Sequence, residues 1–151
     1  MAGRYLSRGP LLLPSGQLAP EQERYLRSLL DVPQWLGDVN LEDQAASISG
    51  RPIVVVGRLQ SGIYRVSYYA RITQAAGTSS SLTVQFRWTD GVVPQTQTAA
   101  AMTGNTTATI QQDRLMLRVD RDTSIVVDAT YASVGSPSMQ YRLNLALERL
   151  V

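Results

Sequence analysis

A chain of 151 residues that is 44% hydrophobic and 17% charged can bury one sizeable core and is too apolar to be broadly disordered. It contains no histidine and no cysteine, so a Ser-His-Asp triad, a histidine or thiolate metal site and a disulfide are all excluded within this chain. The net charge of +2 is unevenly placed, with four arginines against six acids in residues 1–50 and ten against six in residues 51–151, far from the concentrated positive charge of a phosphate-tracking surface.

All 14 basic residues are arginine. Arginine makes planar, two-pronged pairs with carboxylates and suits packed interfaces better than lysine. A genome rich in arginine codons yields the same composition, and abundant glutamine makes the signal for a hot environment mixed. No apolar run approaches the roughly 18 residues of a membrane span. The stretch Leu11–Leu13, cut off by Pro14, is too short for the apolar region of a secretory signal.

Residues 1–50 are expected to form an extended arm. Prolines at 10, 14, 20 and 33 punctuate it, and one short helix is predicted over about residues 20–30. Pro20 suits a first helical position, Glu21 and Glu23 suit the positive end of the dipole, and Leu26, Leu29 and Leu30 share a face. Asp31-Val32-Pro33 ends it, because the residue before proline avoids helical geometry. A second short turn is expected around Asn40 to Ala46. Tyr5, Leu6, Leu11, Leu12, Leu13, Leu18 and Trp35 cannot build a core by themselves. They fit either a frayed tail or a strap that buries these side chains against a neighbouring subunit or a capsid.

After Pro52 the apolar period becomes two, and residues 51–151 are expected to form the folded body. Ile53 to Val56 reads as a strand covered on both faces. In GIYRVSYYARIT, residues 62–73, Tyr64, Val66, Tyr68, Ala70 and Ile72 point one way and Arg65, Ser67, Tyr69 and Arg71 the other. Leu82, Val84, Phe86 and Trp88 alternate with Thr83, Gln85, Arg87 and Thr89, and Leu115, Leu117 and Val119 add another run. Ile125, Val127, Ala129 and Tyr131 alternate with Ser124, Val126, Asp128 and Thr130, and Tyr141, Leu143, Leu145 and Leu147 with Arg142, Asn144, Ala146 and Glu148. Turn residues separate the runs at Gln60-Ser61-Gly62, Gly77-Thr78-Ser79, Asp90-Gly91, Gly104-Asn105 and Gly135-Ser136-Pro137. The pattern predicts a mainly β fold of seven or eight strands. The expected architecture is an antiparallel two-sheet sandwich of the jelly-roll kind carrying the N-terminal arm.

Little here points to catalysis. Asp120-Arg121-Asp122 and Asp90 occupy expected turns, where aspartate bonds its own backbone, and no patterned calcium loop surrounds them. Gly104-Asn105-Thr106-Thr107 lacks the strand–loop–helix context of a phosphate cradle. No enzyme activity, cofactor or metal is expected. Tyr68, Phe86, Trp88, Tyr131 and Tyr141 fall on inward phases and read as core, which leaves Tyr69 as the outward aromatic. Arg65, Tyr69, Arg71, Arg87 and Arg142 form the expected oligomer interface, with Asp128 and Glu148 as candidate ion-pair partners. Nucleic-acid surfaces interleave aromatics with denser basic residues, so protein contacts are favoured.

GIYRVSYYARIT, SSSLTVQFRWTDG, AAMTGNTTATIQ and TYASVGSPSMQYRLNLALE occur in that order across about two-thirds of the chain. This segment, Pro52 to Leu147, resembles a structural domain of tailed-bacteriophage virion proteins. A small chain with an arm and only arginine as its base looks most like a head-decoration protein of a heat-adapted phage. The resemblance implies a homotrimer, assembled in the host cytoplasm, on the outer capsid surface. There it would clamp the major capsid protein, without nucleic-acid or membrane contact. Residues 1–50 depart from the shared domain. The alternatives are a tail, neck or fibre component, and a carbohydrate-binding adhesion module.

Overall fold

The computed structural model describes residues 33–53 and 59–150. The helix expected over residues 20–30, and Tyr5, Leu6, Leu11, Leu12, Leu13 and Leu18, lie outside the described residues, as do Val54 to Val56. Among the described residues nine strands run in chain order: β1 (Gln34–Gln44), β2 (Ile48–Pro52), β3 (Gly62–Gln74), β4 (Ser79–Asp90), β5 (Val93–Thr98), β6 (Met102–Thr103), β7 (Ile110–Val119), β8 (Val126–Val134) and β9 (Gln140–Arg149). No helix occurs among the described residues, and so none long and apolar enough to cross a membrane.

One sheet has the order β1-β9-β3-β7 and the other β2-β8-β4-β5, with β6 also beside β4. All the pairings are antiparallel. First strand pairs with last, second with second-last, and third with seventh, as in a ribbon folded back on itself and wound into two sheets. That nested order is the jelly roll. The expected mainly β, antiparallel two-sheet fold is therefore observed.

The buried set follows the period-two pattern. On β3, Tyr64, Val66, Tyr68, Ala70 and Ile72 are buried, and the residues between them are at least partly exposed. Leu82, Val84 and Phe86 of β4, Val127 and Ala129 of β8, and Tyr141, Leu143, Leu145 and Leu147 of β9 complete the same core. Tyr68 and Phe86 join the two sheets directly, with ring centroids 5.3 Å apart and planes tilted by 48°. The β4–β5 hairpin closes through Gly91-Val92, with Gly91 at φ +64°, a conformation glycine adopts without steric cost.

The expected division at residue 50 does not coincide with the start of the sandwich. β1 and β2 are members of the two sheets, and the compact unit runs from Pro33 to the C-terminus. The turn expected around Asn40 to Ala46 is largely β1, and Ile53 is a buried residue just after β2. The reason is local. β1 is a sheet edge that buries only Val39 and Leu41 well, and its register slips between Trp35 and Gly37 and again between Leu41 and Gln44. Bulges of this kind break the alternation by which a strand is recognised in sequence. β2 is an edge as well, bulged between Ile48 and Arg51, and it ends on Pro52, which an edge tolerates.

Tyr141 ties this early segment to the core. Its buried hydroxyl donates to the Ala46 carbonyl at 2.8 Å. Burial, reinforced by nearby Tyr131, pushes its pKa up to about 12 from 10.0. The folded state therefore holds this proton more tightly than the unfolded chain. The associated stability is intact below pH 10 and drains away as pH rises toward 12. Alkaline thermal melts should show that decline, and Tyr141→Phe should lack this part of it while losing about 1 kcal/mol at neutral pH with the hydrogen bond. Identical alkaline profiles for the two proteins would contradict the assignment.

Candidate binding face

The outer face of the β1-β9-β3-β7 sheet gathers Trp35, Arg65, Tyr69, Arg71 and Arg142, five of the six described contact residues singled out from sequence. Register places them in rows across the strands. The first row is Trp35, Glu148, Arg65 and Met116. The second is Asp38, Ala146, Ser67 and Arg114, and the third is Asn40, Asn144, Tyr69 and Gln112. In the fourth, Arg142, Arg71 and Ile110 stand in line, with Glu42 bonded to Arg142.

Most of the charge on this face is internally matched. Arg65 donates from Nε to Glu148 at 2.7 Å, and Arg142 pairs with Glu42. Such part-exposed pairs contribute little, about 0–1 kcal/mol each, so they define the face more than they stabilise it. Arg71 sits directly opposite Arg142, is exposed, and has no ion-pair partner among the described residues. A polar relay runs between the strands: the Asn144 amide donates to Asn40 Oδ1 at 2.7 Å, and the Asn40 amide donates to Asp38.

Of the expected interface set, Arg65, Tyr69, Arg71 and Arg142 share this face. Arg87 does not. It lies on β4 of the other sheet, where it grips Asp128 on β8 with two contacts of 2.5 and 2.8 Å. The Arg87 guanidinium, helped by the Gly50 N–H, holds the Asp128 carboxyl below its ordinary range against the opposing effect of burial. The five residues therefore occupy two faces, because β3 and β4, consecutive in sequence, belong to different sheets. Trp35, expected in the arm, is on β1 and 61% exposed.

The inward aromatics are placed as expected: Tyr68, Phe86 and Tyr141 are buried, and Trp88 and Tyr131 pack against the core. Asp90 and Asp122 lie at turns, and Asp122 has φ +62°. Among the described residues no cluster of three or more acidic side chains could hold a metal.

The small residues Ala146 and Ser67 leave a groove in the centre of this face. It is an open depression of about 430 Å³ between Trp35 and Tyr69 and is lined also by Asp38, Asn40 and Asn144. Its volume falls in the roughly 300–1,000 Å³ range of ligand pockets. A second depression of about 450 Å³ adjoins it through Ser67 and Tyr68 and reaches Gln112, Asp113 and Arg114. Sequence reading missed Asp38 and Asn40, because β1 was not recognised as a strand. Asn144 and Ala146 lay on a recognised outward phase, but nothing in the alternation marked them as neighbours of Tyr69.

No protein-family model and no curated protein matches the chain. Among solved structures, one titled "Family 16 Carbohydrate Binding Module-2" is similar over 72% of this chain and 73% of that chain, at 14% identity and a TM-score of 0.37. A likeness that low adds nothing to the jelly-roll assignment, which rests on the strand pairing alone.

Proposed function

We propose that this protein is a structural component of a tailed-phage virion, and that it decorates the outer surface of the head. The observation that carries the reading is the outer row of β7, where Ile110 and Met116 are exposed alongside Arg114 and Arg118. Methionine and arginine are enriched at protein interfaces, whereas idle surfaces carry more lysine and acid. The four stretches that resemble phage virion proteins also form connected parts of one body. They supply β3, β4, β6 with the loop into β7, the second half of β8, and β9. In this reading the sandwich forms the body of a homotrimer and residues 1–32 reach toward a neighbouring copy or the major capsid protein. Binding only to the assembled lattice stabilises it by mass action, and repetition over many sites multiplies a modest affinity.

Antibody labelling of purified virions tests the location. Signal over the whole head supports decoration, and signal at one vertex or along the tail moves the protein to a neck, tail or fibre position. Native mass measurement tests the contact surface. The wild-type chain should be oligomeric, and Met116→Asp should shift it toward monomer without unfolding it, because Met116 is 70% exposed. A wild-type monomer would count against the body-and-arm arrangement.

A further inference from the structure

We infer that the groove between Trp35 and Tyr69 is a binding site for neutral oligosaccharide chains, a property beyond assembly and independent of where in a virion the protein sits. Four features point to this ligand class. Two aromatic side chains flank the groove, and Trp35 is 61% exposed, unlike the inward aromatics of the same sheet. An aromatic face of this kind receives the C–H side of a sugar ring, which is flat and weakly apolar. The floor is Ala146 and Ser67, small residues that let a ring descend between the bounding side chains.

The third feature is the relay from Asn144 through Asn40 to Asp38, which fixes the orientation of both amides. Each amide keeps a second N–H, and the second Asp38 oxygen and Asn144 Oδ1 remain as acceptors. Donors and acceptors alternating along one wall match the vicinal hydroxyls of a sugar, each of which both gives and takes a hydrogen bond. The fourth is charge. The nearest guanidinium on the first row, Arg65, is occupied by Glu148, and the wall itself carries the Asp38 carboxylate. Between Trp35 and Tyr69, where no guanidinium lines the groove, phosphate and sulfate groups are therefore disfavoured, and a polyhydroxylated neutral chain is favoured.

The groove crosses β1, β9 and β3, which at about 4.8 Å between neighbours give a track of about 10 Å, so the site fits a short oligosaccharide better than a single ring.

The full-length protein should be titrated with hexamers of glucose, mannose, xylose, galactose and N-acetylglucosamine, and with a heparin hexasaccharide as anionic control. Tryptophan fluorescence and calorimetry provide the readouts. At least one neutral hexamer should bind and shift the emission of Trp35, the more exposed of the two tryptophans. Trp35→Ala and Tyr69→Ala should each weaken that binding at least tenfold with unchanged melting temperature, Trp35→Phe should retain most of it, and Asn144→Ala should weaken it. The inference is overturned if no neutral hexamer binds, if only heparin binds, or if the aromatic variants bind as well as wild type. None of these outcomes bears on virion labelling, so the assembly reading stands or falls separately.

Discussion

A chain begun at Pro33 is expected to melt cooperatively within a few degrees of the full-length protein, whereas one begun at Arg51 is expected not to fold. The first truncation leaves all nine strands and the compact unit intact. The second removes β1 and most of β2, which strips one side of β9 of a partner along eight aligned positions from Gln34 to Gln44. Burial of Val39 and Leu41 is lost with them, at roughly 1.5–3 kcal/mol for each side chain. The forfeited backbone hydrogen bonds are worth about 0.5–1.5 kcal/mol each. Together these losses are comparable to the entire stability of a typical domain, about 5–15 kcal/mol. Circular dichroism melts and gel filtration of the two truncations decide the matter. A sharp, reversible melt from the chain begun at Arg51 would mean that β1 is dispensable. The chain begun at Pro33 also isolates the arm: under the assembly reading it folds but loses occupancy on the partner lattice.

Phe86→Ala is expected to be the most damaging single truncation of a side chain, costing about 3–5 kcal/mol. Phe86 is fully buried on β4 and meets Tyr68 of the opposite sheet at 5.3 Å. Its removal opens a cavity between two sheets that cannot close over it, since each is held by its own ladder. For a domain of this size about 1 kcal/mol corresponds to a fall of about 2–4 °C, so the melting temperature should drop by about 6–20 °C. Arg87→Ala, at the exposed end of an ion pair on the same strand, should change it little, because solvent screens that pair. Should both variants shift the midpoint equally, the sandwich would not be held by its apolar interior as argued.

Much of the fold was legible in the residues because a half-buried strand writes its burial directly into alternating chemistry. β3, β4, β8 and β9 have long apolar phases, and each was found in place with the expected side inward. β1 and β2 were not, since an edge strand with bulges buries few residues and resets its phase at each slip. The candidate site was half legible. Arg65, Tyr69, Arg71 and Arg142 were read as outward and do share a face, yet Arg87, read the same way, faces the opposite side of the molecule.

By itself the amino-acid sequence determined the class of structure and what chemistry is impossible: antiparallel strands around one core, with no imidazole or thiol to catalyse or ligate. Local patterning suffices for that, because the inside or outside phase of a strand depends on residues two apart. The tertiary structure decided which outward residues are neighbours. Asp38, Asn144, Ser67 and Tyr69 are spread over more than a hundred positions of the chain, and only the nested winding of β1, β9 and β3 into one sheet sets them around a common groove. Strand order is a long-range property, fixed by which edges meet as the ribbon folds back, and no local period records it.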